Sequence, residues 1–240
     1  MLRFEGVDIK VGGRSLVRAE SEFLKSGIIA LVGRNGSGKS TFMRTLLGMH
    51  QEYSGKIFFN DELIKDIPKK QLAKSIAIVF SQSSVFGDVS VRDILSMGRL
   101  PYLNNSATLK EEDHKIIQRV AEQLALISLF DKSLNQLSDG QRQMVMIGRA
   151  LVQNTPILLL DEPGAFLDVV NKHKVMNVLK KIATAEDKLI LFSTHTFTFL
   201  DKVCERVLLI DNTELKELDA DTGFEKQVLT YFGITEEDGI

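Results

Sequence analysis

The chain holds one cysteine, Cys204, so no disulfide can form within it, and its four histidines, His50, His114, His173 and His195, lack the spacing of a metal site. Proline is sparse, with 4 against 17 glycines in 240 residues, and hydrophobic residues make up 44%. That composition excludes a collagen-like repeat or a disordered chain. Neither sign of charge predominates: 30 Lys and Arg face 32 Asp and Glu for a net charge of −2. Without a global positive field, nucleic acid is not expected as a partner. Long apolar runs are missing too, since Gly27–Val32, Ile157–Leu160 and Leu189–Phe192 fall far short of the ~20 residues of a spanning helix. The opening Met1-Leu2-Arg3-Phe4-Glu5 has neither a basic n-region nor a small-residue cleavage site. The expectation is a reduced chain, without a structural metal, that stays where it is made.

What is present reads as a single α/β unit. Short Ile, Val and Leu runs alternate with longer amphipathic stretches, the pattern of a largely parallel sheet with crossover helices. Strands are expected at Ile28–Val32, Ser75–Phe80, Ile157–Leu160, Leu189–Phe192 and Val207–Ile210. Leu2–Val11 and Ser15–Phe23 read as an antiparallel pair around Gly12-Gly13, and Lys56–Phe59 with Glu62–Ile64 as a hairpin turning at Asn60-Asp61. These four are expected to make a small β-layer beside the main sheet. From Gly87 to about Val152 the pattern becomes helical, with segments at Val91–Leu100 opened by Ser90, at about Glu111–Leu129, and from Ser138, where Ser138 and Gln141 fit a capping box.

Two motifs carry chemistry. Gly33-Arg34-Asn35-Gly36-Ser37-Gly38-Lys39-Ser40 satisfies G-x-x-x-x-G-K-[ST] between an expected strand and the helical Thr41–Leu47. Successive glycines let backbone amides point inward around an anion, the helix N-terminus adds partial positive charge, Lys39 reaches the β and γ phosphates, and Ser40 ligates Mg²⁺. The candidate nucleotide contacts are therefore Gly33, Asn35, Gly36, Ser37, Gly38, Lys39, Ser40 and Thr41. At the carboxyl end of Ile157–Leu160, Asp161 is placed to hold Mg²⁺ through water and Glu162 to polarise an attacking water.

Between these motifs stands Leu137-Ser138-Asp139-Gly140-Gln141. In this order the three resemble the ATP-binding-cassette ATPases, and the resemblance spans essentially the whole chain. It implies a P-loop NTPase core with a small antiparallel β-layer (1–86 and 156–240) and an inserted helical subdomain (87–155), all one domain. It also implies roles for Gln82 as the Q-loop glutamine, touching Mg²⁺ and sensing the γ-phosphate, for Leu167-Asp168 as the D-loop, and for His195 as the switch histidine. Ser138, Gly140 and Gln141 would meet the ATP held by a second copy, so a homodimer closing over two ATPs is expected.

The chain departs from that family at three points. Asp139 replaces a usual glycine and is expected to turn away and cap the helix starting at Gly140. Val11 stands where an aromatic residue stacks on adenine, leaving Phe4 as the nearby aromatic, and Thr196 replaces the Asp that usually follows the switch histidine.

The stretch Ser90–Tyr102 is similar to the one that ATPases of iron-complex, haem and cobalamin importers carry after the Q-loop. The resemblance implies an ATPase subunit peripheral to the cytoplasmic face of the inner membrane. Its partners would be integral-membrane permease subunits and, indirectly, an extracytoplasmic substrate-binding protein. The alternatives are a non-transport cassette ATPase in translation or DNA maintenance, a cassette for another substrate class, or a nucleotide-binding regulator that hardly hydrolyses.

Overall fold

The computed structural model describes residues 1–81, 88–103 and 108–233. In chain order these fold as β1 (Leu2–Val11), β2 (Arg14–Leu24), β3 (Gly27–Gly33), α1 (Lys39–Leu46), β4 (Tyr53–Phe59), β5 (Glu62–Leu63), α2 (Lys69–Ser75) and β6 (Ile76–Val79). There follow α3 (Val91–Met97), α4 (Glu111–Gln123), α5 (Asp139–Val152), β7 (Ile157–Leu160), α6 (Val169–Ala185), β8 (Leu189–Ser193), α7 (Leu200–Val203), β9 (Arg206–Asp211), β10 (Glu214–Glu217) and α8 (Phe224–Phe232).

The ten strands make one sheet in the order β5-β4-β1-β2-β10-β9-β3-β8-β7-β6. The run β9-β3-β8-β7-β6 is parallel, and its inner strands are buried at every residue on both faces, which is why they read as unbroken apolar runs. The run β5-β4-β1-β2 is antiparallel, and β1 alternates buried and half-exposed residues as a one-sided strand should. Asn60 and Asp61 turn the β4–β5 hairpin with φ of 47° and 67°, the double left-handed geometry such a tight turn needs. The expected β-layer is thus the antiparallel part of a single sheet, joined to the parallel part through β10. That junction is narrow: Glu214 opposite Arg18 is the one register pair between β10 and β2.

Side chains alternate across β3 into two cores. Ile28, Ala30 and Val32 face the core shared with the helical segment, and Ile29 and Leu31 face the one that holds Phe42, Met43 and Leu46 of α1. Both are made of fully enclosed aliphatic side chains, the main favourable contribution to folding.

The helical segment between β6 and β7 is stitched at one buried point. The guanidinium of Arg99, just after α3, donates through Nε to Asp113 Oδ1 at 2.7 Å and through Nη1 to Val152 O at 3.0 Å. Burial pushes the Asp113 carboxyl up, but the Lys110 amide and the Arg99 guanidinium outweigh it and hold it below the usual value.

Several boundaries differ from expectation. Ser75 closes α2 rather than opening a strand, so β6 begins at Ile76, and α3 stops at Met97. The second helix ends at Gln123 because Ala125 takes a left-handed φ of 56°, after which Ile127–Leu129 forms a separate 3₁₀ turn. Ser90 caps α3 as expected, accepting from the Asp93 amide.

Candidate nucleotide site

The phosphate loop leaves the end of β3, in the middle of the parallel sheet, and runs into α1. Gly38 stands at the helix N-cap with φ of 103°, a conformation that side-chain-bearing residues avoid. A Cβ there would lie 2.7 Å from Val17 Cγ2 and 2.8 Å from Leu16 Cγ, so β2 presses directly on the loop. No side chain caps α1 and no acid occupies its first turn, which leaves the N-terminal amides available to an anion. Lys39 Nζ donates to the carbonyls of Gly33 at 2.8 Å and Arg34 at 3.1 Å and is thus folded back over its own loop. Burial lowers its pKa, while Glu162 and Asp161 pull the other way. The buried Ser37 Oγ has no hydrogen-bond partner, an unmet polar group in the cradle itself.

A cavity of about 180 Å³ opens over this loop, lined by Leu16, Asn35, Gly36, Gly38, Lys39, Ser40, Thr41, Glu162 and His195. The sheet register explains why the last two meet there. Leu160 of β7 lies opposite Phe192 of β8, so the residues leaving both strands emerge side by side. Ser193 Oγ donates to Asp161 Oδ1 at 2.7 Å and accepts from the Glu162 amide at 2.8 Å. That clamp holds Glu162 at a left-handed φ of 52°, backbone strain of the kind found at working sites. His195 Nε2 lies 2.6 Å from Glu162 Oε1, and since a carboxylate only accepts, this nitrogen is the donor. Ser193 itself, fully buried, carried no sequence motif; its proximity to Asp161 is a product of strand pairing alone.

The remaining expected site residues lie elsewhere. Ser138, Gly140 and Gln141 stand at the start of α5, outside the cavity lining. There Ser138 Oγ accepts from the Gln141 amide at 3.2 Å and Gln141 Oε1 from the Ser138 amide at 3.1 Å, completing the expected capping box. Asp139 is a correction: it caps nothing, occupies the first helical position and pairs with Arg142. Asp168 caps α6, its Oδ1 accepting from the Asn171 amide at 2.7 Å. Gln82 lies outside the described residues.

The adenine end differs from the simplest expectation. Val11 is half-exposed at the tip of the first hairpin, which Glu52 pins by accepting from the amides of Gly12 and Gly13 at 3.1 and 2.7 Å. Phe4 cannot stand in for the missing aromatic, because it is fully buried and stacked on Phe42 with ring centroids 5.5 Å apart.

The donor set fits Mg·ATP. A free helix N-terminus, a lysine and an unmet hydroxyl suit a triphosphate, and Ser40 of the cavity lining with Asp161, the residue before Glu162, suits a magnesium ion that takes its other ligands from phosphate and water. The described residues hold no group of three or more His, Cys, Asp or Glu that could hold a metal ion.

An α/β sheet with this loop, and with an acid and a histidine converging on it, defines a P-loop ATPase. The family model for ABC transporters matches residues 18–165, and the chain belongs to that family, whose cassettes are ATPases. It is 31% identical over 81% of its length to the iron(3+)-hydroxamate import ATP-binding protein FhuC of Bacillus subtilis, covering 72% of that protein. It is 32% identical over 80% of its length to the molybdate import ATP-binding protein MolC of Haemophilus influenzae, covering 71% of that protein. Among solved structures it resembles cbiO1 of Clostridium perfringens, part of the transporter complex cbiONQ, with a TM-score of 0.79 and 26% identity over 99% of this chain and 91% of that one. It also resembles a dimeric cassette in a post-hydrolysis state bound to ADP and Pi, with a TM-score of 0.79 and 25% identity over 92% of this chain and 99% of that one.

Proposed function

We propose that this ABC transporter ATPase subunit powers import of a metal complex, in the first place an iron complex such as a siderophore or haem, or cobalamin. The observation that carries the hydrolytic part is the meeting of the phosphate loop, Glu162 and His195 around one cavity, with the histidine 2.6 Å from the acid. Support for the cargo comes from the iron(3+)-hydroxamate import relative and from the Ser90–Tyr102 stretch. The molybdate import relative, at similar identity, favours a second reading in which the cargo is a different class.

The chain's own residues divide the work. The α1 amides and Lys39 hold the β and γ phosphates, and Lys39 must leave the Gly33 and Arg34 carbonyls to do so. Ser40, Asp161 and Gln82 would hold Mg²⁺, which when bound would neutralise charge on the phosphate oxygens. Glu162 orients the attacking water and accepts its proton, and His195 donates through Nε2 to a γ-phosphate oxygen once released from Glu162. Ser138, Gly140, Gln141 and Asp168 serve the site from a second copy of the chain.

No helix of the described residues is long and apolar enough to cross a membrane. Force must therefore reach a permease by contact. A cleft of about 910 Å³ is suited to this, with an apolar floor including Met49, Leu72 and Ile76, basic residues Lys65, Lys69 and Arg149, and no carboxylate. The Arg149 guanidinium donates through Nη2 to Ile78 O at 3.2 Å, and with Lys65 and Lys69 it leaves the cleft basic, so a permease helix offering an acid fits it. Under this reading the subunit sits on the cytoplasmic face of the inner membrane, with residues 1–86 and 156–240 as catalytic core and 87–155 as helical subdomain.

Two measurements test the reading. Glu162→Gln should abolish steady-state phosphate release and trap an ATP-bound dimer on gel filtration; turnover like that of the parent chain would refute the role of Glu162. Affinity capture from detergent-solubilised native membranes should bring down a permease and an iron-complex-binding protein. Capture with soluble partners alone would refute the transporter assignment, and a binding protein for another cargo would refute the iron assignment.

A further inference from the structure

The loop that carries His195 is braced by a residue that belongs to none of the motifs above. Lys172 lies one turn into α6, its amide donating to Asp168 O at 2.9 Å. Its ammonium donates to Thr196 Oγ1 at 2.7 Å, and its Nζ also sits 5.0 Å from the centroid of the Phe199 ring. Its methylene stem crosses Gly164: a Cβ at that glycine would lie 2.8 Å from Lys172 Cε, 3.2 Å from Cδ and 3.3 Å from Cγ. One side chain therefore packs on the backbone two residues beyond Glu162 and hydrogen-bonds the residue next to His195.

Thr196 is well placed to pass that restraint on. Its amide donates to Thr194 Oγ1 at 3.0 Å, and Thr194 Oγ1 donates to Thr196 O at 3.1 Å, so the two threonines close a tight turn with His195 at its apex. Burial depresses the Lys172 pKa, and among the described residues no carboxylate pairs with it, so the Thr196 hydroxyl is the polar partner that offsets desolvation of the ammonium.

We propose that Lys172 is a positioning residue for hydrolysis: through Thr196 Oγ1 on one side and the Gly164 backbone on the other, it holds the backbone turns that carry His195 and Glu162 in register beside the phosphate loop. Replacement of the usual aspartate by Thr196 then makes sense as one half of a matched pair. A neutral hydroxyl meets the lysine without placing another negative charge beside the γ-phosphate position. Because Lys172 follows Asp168 by one helical turn, the same contact ties the start of α6 to the switch turn.

The inference rests on the roles given above to Glu162 and His195, so Glu162→Gln and His195→Ala are measured alongside. Lys172→Met keeps the stem and removes the ammonium, and Thr196→Val keeps the shape and removes the hydroxyl. Each should lower kcat for ATP hydrolysis about tenfold through loss of alignment, with KM for ATP and binding of a fluorescent ATP analogue changed by less than about twofold. The double variant should be no worse than either single one, as for two ends of one contact, and Thr196→Ser, which keeps the hydroxyl, should restore the parent rate. Parental kcat in Lys172→Met, a rise in KM in place of a fall in kcat, additive losses in the double variant, or a Thr196→Ser rate as low as that of Thr196→Val would each overturn the brace. If Glu162→Gln and His195→Ala abolish turnover while Lys172→Met does not, the brace alone fails; if those two controls turn over normally, the catalytic assignment fails first and the brace with it.

Discussion

Two helices begin at the expected phosphate contacts, and they begin in opposite ways. α1 starts from a left-handed glycine, with no side chain accepting from its first amides and no acid in its first turn. α5 starts inside a completed capping box, with Asp139 adding negative charge beside it. The first helix keeps its donors for an outside anion, whereas the second satisfies the amides of Ser138 and Gln141 internally and leaves those of Asp139 and Gly140. On the proposed reading, one terminus holds phosphate and the other meets it briefly. That asymmetry suits a cycle in which a nucleotide stays on one chain while the opposing surface comes and goes.

The sharpest way to break the comparison is Lys39→Ala, which should cost at least ~100-fold in phosphate release, because the cationic partner of the phosphates is lost. Ser138→Ala should come next, lowering turnover about tenfold for the loss of one hydrogen bond to a charged group. The same change should remove about 1 kcal/mol of stability in urea titrations, as loss of a helix cap usually does. Asp139→Asn should matter least: its carboxylate is turned to Arg142, so apparent ATP affinity should change by less than about twofold at physiological salt and more as ionic strength falls. Equal losses from Lys39→Ala and Ser138→Ala would mean that the two termini bind phosphate alike. A large gain from Asp139→Asn would mean that charge, and not the filled cap, weakens α5.

Much of this was readable from residue order because the motifs are local. The glycines of the phosphate loop, the acids ending Ile157–Leu160 and the Ser138–Gln141 box each work within a few residues of chain. The strands of the parallel sheet are equally local, as apolar runs bounded by turns. What could not be read is what distant segments bring together. Ser193 becomes the clamp on Asp161 and Glu162 only through β7–β8 pairing, across 31 and 32 residues. Lys172 finds Thr196 across 24. Phe4 looked available because it lies near the first hairpin in sequence, but strand alternation turns it inward onto Phe42. Helix ends escape the sequence where one backbone angle decides them, as at Ala125.

The narrow junction between the two halves of the sheet has a mechanical side. Elsewhere the strands are laced by two or more register pairs, but β2 and β10 share only Glu214 with Arg18, supplemented by the Arg18 amide donating to Thr213 O at 2.6 Å. A bending load on the antiparallel half concentrates at that seam, because stiffly packed cores pass strain on instead of absorbing it. On the near side of the seam, Leu16 and Val17 of β2 lean on Gly38. Tilting the antiparallel half is thus equivalent to pressing on the phosphate loop, and the sheet is less a platform than a lever whose short arm ends under the nucleotide.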